Sequence, residues 1–236
     1  MYYLCFDTET DNLPVKNNFE NVHLLQIAYK KYDDDFDCIA QYNKYINLRN
    51  YDNFVENPVN KISINTLKSG VKIEKVLKLL NIILSKVKLI IAHNITFDFN
   101  IILVEAQRYN NTELIEKLIN IPKFCTMVNS GIWGCKFLKK PMPKLQDVHN
   151  YFYPNSDYIT THEAFDDVEH CWLCFIKLRE KWGDIILNIN QFKDKNKTFK
   201  EISRSEYSFC KWCLRQDNIN YSKINNFVNY LKFTKY

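Results

Sequence analysis

The sequence predicts an α/β fold, a mixed sheet with helices packed on its faces. Three observations lead there. Short runs of β-favouring apolar residues alternate with polar turns through the first 46 residues. Further on, apolar residues recur at helical spacing between one short apolar run and the next, the rhythm of a strand–helix–strand crossover. And 236 residues, 46% of them hydrophobic and 15% aromatic, suffice for one sizeable core with a small appended unit.

The first strand begins at Tyr2. Tyr2-Tyr3-Leu4-Cys5-Phe6 is apolar and runs directly into Asp7-Thr8-Glu9-Thr10. Alternate side chains of a strand share a face, so Asp7 and Glu9 project to the same side. Two carboxylates that close repel and raise a pKa unless a cation lies between them, and hard divalent ions favour such oxygen donors. An acidic strand end entering a turn has the same pattern. Asp11-Asn12-Leu13-Pro14 signals a turn, Val22 to Tyr29 a second strand, Asp33-Asp34-Asp35 another turn, and Phe36 to Ile46 a third strand. Short polar connections make these an antiparallel meander.

Ile62 to Ser69 reads as a short helix ended by Gly70, and Ile73 to Lys86 as an amphipathic helix. Leu89-Ile90-Ile91-Ala92 is a central strand, paired parallel through the crossover. It opens into His93-Asn94-Ile95-Thr96-Phe97-Asp98, with Asp98 in the first turn of the next helix, where a carboxylate also suits the helix dipole. Thr112 to Ile119 is helical, Phe124 to Met127 a short fifth strand, and Gly131 to Pro143 irregular, with Lys136, Lys139, Lys140 and Lys144 clustered in and just after it. Leu145 to Phe152 is a helix, and another runs from about Asp167 to Trp182. His162 and Asp167, five residues apart, diverge by about 140° within one helix, so they converge only if His162 precedes it. Thr160 with Glu163 fits a capping box that would instead put His162 in the first turn. We favour a loop-borne His162.

The eight cysteines, with no export signal before the first strand, read as reduced thiols of an intracellular protein. Cys171-x-x-Cys174 and Cys210-x-x-Cys213 have the spacing of a zinc site, but both fall in predicted helices, where cysteine serves as a small apolar residue. His23, His149 and His170 read as ordinary histidines. The four glycines, at 70, 131, 134 and 183, form no phosphate-cradling loop. No apolar run reaches the length of a membrane span. Charge is uneven: residues 193–236 hold ten basic and four acidic residues, a balance of +6, against −1 for the rest. A basic segment beside a near-neutral domain suits a polyanionic partner, or is a solvated lysine-rich surface.

Taken in order, Phe6-Asp7-Thr8-Glu9-Thr10, His93-Asn94-x-x-Phe97-Asp98 and His162-x-Ala164-x-x-Asp167 resemble the three motifs of the DnaQ-like, DEDDh-type 3′–5′ exonucleases, over residues 2 to 180. The resemblance implies an RNase H-like fold with a five-stranded mixed sheet flanked by helices. It implies two Mg²⁺ ions, replaceable by Mn²⁺, held by Asp7, Glu9, Asp98 and Asp167, with Asp98 acting largely through water. His162 would be the general base. Thr8, Thr10, Asn94 and Phe97 would hold the terminal nucleotide, although Phe97 equally suits the core. Asp11-Asn12 departs from the Thr-Gly or Asp-Gly of many relatives, and Asn tolerates the left-handed turn. The resemblance, through the family's spacing of five from the histidine, selects Asp167 over Asp166, which is then a surface or capping acid. Lys197 to Ile202 followed by Tyr207 and Trp212 resembles a small domain found after exodeoxyribonuclease X-like nucleases. We therefore expect an exonuclease domain over 1–185 and a small basic α+β or helical unit over 190–236. The implied activity is metal-dependent hydrolysis of DNA from a free 3′ end, releasing nucleoside monophosphates. The alternatives are an exoribonuclease of the same fold and a non-catalytic nucleic-acid-binding protein on a nuclease fold.

Overall fold

The structure is a computed structural model. It describes residues 1–236 apart from 17, 53, 134–141, 157, 161, 188–195, 216–222 and 235–236, and apart from the side chains of 132, 133 and 223. Lys136, Lys139 and Lys140 therefore lie outside the described residues.

The strands are β1 (Tyr2–Thr10), β2 (Leu24–Tyr32), β3 (Cys38–Asn47), β4 (Val71–Lys72), β5 (Val87–Ala92) and β6 (Lys123–Cys125). They form one mixed sheet in the order β4-β3-β2-β1-β5-β6. β1, β2 and β3 are the antiparallel meander, while β5 pairs parallel to β1, and β6 parallel to β5. The sixth strand, beyond the five expected, is the two-residue β4 paired with the end of β3, too short to leave a periodic signal.

The helices are α1 (Ile64–Lys68), α2 (Ile73–Leu84), α3 (Ile95–Arg108), α4 (Thr112–Asn120), α5 (Thr126–Trp133), α6 (Leu145–Phe152), α7 (Ala164–Arg179), α8 (Phe199–Ser205), α9 (Tyr207–Leu214) and α10 (Lys223–Thr234). α1 is capped by Ser63, whose side chain accepts from the Thr66 N–H. α5 occupies the start of the stretch expected to be irregular.

Strand alternation sorts the side chains of β1 between two cores. Leu4 and Phe6 join Ile27, Leu77, Leu80, Ile101 and Ile102 on the face covered by α2, α3 and α4. Tyr3 and Cys5 join Ala28, Leu89, Ile91, Val168, Cys171 and Phe175 on the face covered by α6 and α7. The second core continues without a break through Trp182, Ile185 and Leu187 into Phe199, Ile202, Cys210, Cys213, Phe227, Val228 and Leu231 of the C-terminal helices. A buried polar chain runs through it. The Trp182 indole N–H donates to Asn226 Oδ1 (2.9 Å), Asn226 Nδ2 to Asn129 Oδ1 (2.9 Å), and Asn129 Nδ2 to the Cys125 carbonyl (2.9 Å). Each amide uses donor and acceptor in turn, which is what a buried amide requires.

Candidate active site

The alternation that sorts the cores also places the carboxylates. Asp7 and Glu9 continue the Tyr3–Cys5 side of β1 towards α7, and Thr8 continues the Leu4–Phe6 side towards α3. α3 begins after Asn94, whose φ of 64° turns the chain sharply from β5 into the helix. That turn brings Asp98, 2% exposed, under β1. There Thr8 donates to Asp98 Oδ1 twice, from its N–H (3.0 Å) and its hydroxyl (2.7 Å). From the other face α7 delivers Asp167, 6% exposed, whose Oδ1 accepts from the Tyr158 hydroxyl (2.5 Å).

Asp7, Glu9, Asp98 and Asp167 thus converge at the ends of β1 and β5, and they raise one another's pKa. Burial pushes the Asp7 carboxyl well up, and the charges of Asp98, Asp167 and Glu9 push it further. Glu9 rises to about 7 through burial, against a lowering hydrogen bond from Asn60, with Asp167, Asp98 and Glu163 adding to the rise. Asp98 rises to about 7 through burial, although both Thr8 bonds oppose it. Asp167 is raised by burial while Tyr158 and His162 pull it back. A compact set of acids that repel one another is a fit for hard cations. Among the described residues, the group able to hold a metal ion directly is Glu9, His162 and Asp167, with donor atoms all within 4.8 Å of one another.

His162 precedes α7 rather than lying in it, exposed and with φ of 55°. The capping box expected from Thr160 does not form. Glu163 is itself the N-cap, its side chain accepting from the Asp166 N–H (3.1 Å). Its other oxygen accepts from Gln26 Nε2 (2.6 Å) and Asn43 Nδ2 (3.0 Å). Gln26 pairs opposite Glu9 across β1 and β2, so the clamp grips the same face of the sheet as the carboxylates. Glu163 thereby pins the turn carrying His162. Replacing it with Ala removes a cap and two amide bonds, so we expect a loss of about 2 kcal/mol. A thermal melt should show this as a fall of several degrees in Tm.

The other expected site residues take mixed places. The Thr8 N–H and hydroxyl are engaged by Asp98. Thr10 is buried and donates to the Asn12 carbonyl (2.9 Å). Asn94 is exposed, and its left-handed backbone is reason enough for an asparagine there. Phe97 is half-buried against Phe19 (5.7 Å between ring centroids) and the core behind it. Asp166 is partly exposed, 3.7 Å from His170. Tyr158, Gln26, Asn43 and Asn60 support the acids and were not anticipated, because no local pattern marks them. His93 is half-buried between Thr126 Oγ1 (2.9 Å) and the Pro143 carbonyl (3.0 Å), and loss of solvent lowers it to about 4, so it stays neutral. The cysteine pairs lie buried within α7 and α9; Cys210 Sγ donates to the Ile202 carbonyl (3.5 Å), and Cys213 is pushed up to about 12 by burial. No helix among the described residues is long and apolar enough to cross a membrane.

No protein-family profile matches the sequence, and no curated protein matches it. Solved structures do match the fold. S. pombe Pop2p with Mg²⁺ and Mn²⁺ bound is 15% identical, with a TM-score of 0.57 over 77% of this chain and 84% of that one. E. coli Exonuclease I in complex with a dA16 oligonucleotide is 13% identical, with a TM-score of 0.57 over 76% of this chain and 41% of that one. The nuclease domain of 3′hExo, a DEDDh family member bound to rAMP, is 11% identical, with a TM-score of 0.53 over 80% of this chain and 96% of that one. A mixed sheet with helices on both faces gives this chain the fold of these solved structures, Exonuclease I and the 3′hExo nuclease domain among them.

Proposed function

We propose that the chain is a metal-dependent 3′–5′ exonuclease that removes nucleoside 5′-monophosphates from DNA. The observation that carries the reading is the convergence of Asp7, Glu9, Asp98 and Asp167 from three distant segments, with His162 beside them. The fold shared with known exonucleases supports it, as does the basic C-terminal segment. In this reading Asp7, Glu9 and Asp167 would hold two Mg²⁺ ions, with Asp98, fixed by Thr8, adding its charge beside them. When bound, such ions lower the pKa of a water and stabilise charge on the leaving oxygen. Thr8 keeps Asp98 from swinging into Asp7, and Tyr158 fixes the rotamer of Asp167. His162 takes a proton from the attacking water as its oxygen bonds to phosphorus and the bond to the 3′ oxygen breaks. The shortened strand keeps a 3′-hydroxyl.

Labelled single-stranded DNA, duplex DNA and RNA, each with Mg²⁺ and with EDTA, test this. We expect a ladder shortening from the 3′ end of DNA that EDTA abolishes. EDTA-resistant cleavage, or none, overturns the proposal. RNA degraded in preference to DNA establishes the second reading, an exoribonuclease, which the rAMP in the 3′hExo structure favours.

His162 lies within reach of both Glu9 and Asp167, so base and ligand must be told apart. As the base it has to be neutral, and the rate should fall as acid protonates the imidazole. His162→Ala should cost on the order of 10²–10⁴ in turnover. His162→Asn keeps a residue that accepts positive φ and should fail equally, which separates chemistry from folding. Calorimetry should find Mn²⁺ binding nearly unchanged in both. Affinity falling in step with turnover would make His162 a ligand.

A further inference from the structure

α9 is two-sided. Its inner side buries Cys210 and Cys213 against the core that holds Ile202 and Phe227. Its outer side carries Tyr207, 68% exposed, and Trp212, 49% exposed, together with exposed Ser208, Lys211 and Arg215. At 100° per residue these five positions cover an arc of about 140°, one continuous face. The aromatic groups are held from beneath. The Phe209 ring lies 5.8 Å from that of Trp212 and within 24° of parallel, and Phe209 in turn stacks on buried Phe227 at 6.0 Å. Lys211 Nζ sits 4.6 Å over the Tyr207 ring.

The face is also one-signed. Residues 207–215 contain no acid. Among the described residues, two acids of the preceding helix and turn are engaged. Glu201 closes the capping box with Thr198, and Glu206 pairs with Lys197 (2.5 Å). Exposed rings have an energetic cost in water, and a cationic surface repels itself. A partner with flat aromatic faces and a regular anionic backbone answers both.

We propose that this face of α9 is a docking platform for single-stranded nucleic acid, with bases stacked on Trp212 and Tyr207 and phosphates drawn to Lys211 and Arg215. Such a combination binds strands with little regard to sequence. The platform and the carboxylates belong to one body: α9 and α7, whose N-terminal end supplies Asp167, bury residues in the same core. A strand long enough to reach both would be gripped upstream of the reacting bond. The identity of the partner rests on the exonuclease reading; the geometry does not.

The test measures fluorescence anisotropy of labelled oligothymidylates of about 5 and about 20 nucleotides with the full chain in EDTA. Trp212→Ala should weaken binding of the longer strand by about 5- to 150-fold, the worth of one stacked base. Trp212→Phe should largely restore it, and Lys211→Gln should flatten its salt dependence. The shorter strand should bind all variants alike. Equal affinity of wild type and Trp212→Ala for the long strand overturns the platform, and so does an equal loss for both lengths. Because these readouts need no catalysis, a length-dependent loss without any cleavage would remove the exonuclease reading and keep the platform. Cleavage by a Trp212→Ala variant with unchanged long-strand affinity would do the reverse.

Discussion

Asp7→Asn should leave no cleavage above the EDTA background, yet should melt at a higher temperature than the wild type when metal is absent. The two effects have one origin. Asp7 is the acid with the charges of Asp98, Asp167 and Glu9 all pressing on it, so it is the group that would gain most from a bound cation and the least comfortable without one. The pH dependence follows from the direction of the shifts. The acids of this centre hold protons in the folded state that the unfolded chain has already released. The contribution of this centre to metal-free stability is therefore fully present in acid and is lost as pH rises above the ordinary carboxylate range and through about 7, where Glu9 and Asp98 ionise. Removing one charge should raise Tm near pH 7.5 by about 2–4 °C, the shift produced by 1 kcal/mol in a chain of this size. At pH 4 the gap between variant and wild type should close. Calorimetric scans with and without Mg²⁺ read all of this, and an Asp7→Asn protein that cleaves as the wild type does removes the centre described above.

The second large effect lies far from the acids. Cutting the chain after Leu187 should leave a protein that does not fold cooperatively. The C-terminal helices bury Phe199, Ile202, Phe227 and Leu231 in the same core as Phe124, Phe175 and Trp182, and Asn226 satisfies the Trp182 indole. Removing them would open that apolar surface and orphan a buried donor. A milder probe is Phe227→Ala, which empties a fully buried site and should cost about 3–5 kcal/mol. Urea unfolding monitored by circular dichroism measures both. If residues 190–236 are instead a unit of their own, the truncated protein will unfold as sharply as the full chain, with an unchanged midpoint.

The sequence carries the acids more clearly than it carries what holds them. Asp7 and Glu9 can be placed because strand alternation is local, and Asp98 because a strand opening into a helix has only one first turn. Their meeting with Asp167 depends on which face of the sheet α7 covers, and here the motif spacing, rather than periodicity, was the guide. The clamp on Glu163 escaped notice because it depends on the register of β1, β2 and β3, which sets Gln26 beside Glu9 and brings Asn43 within reach, and no pattern in either strand announces that register. Tyr158 sits in an irregular stretch nine residues before the carboxylate it serves. The amphipathic character of the last helices shows that they bury a face; it does not say that the face is buried against the exonuclease-like core. His162 was expected before its helix on angular grounds, and its left-handed backbone could not be anticipated from the sequence.

The shared core has a consequence for the order of events during synthesis. The ring of Tyr3, four residues before the first acid, packs on Phe233 in α10 (6.4 Å between centroids) as well as on Trp172 and Phe175 in α7. The strand that carries Asp7 and Glu9 is made first, and the last of its packing partners is made more than two hundred residues later. Contacts so distant along the chain close late, after the intervening segments have folded. A growing chain on the ribosome, surrounded by nucleic acid, would hold its acidic residues in a loose sheet until α10 emerges and seals the core.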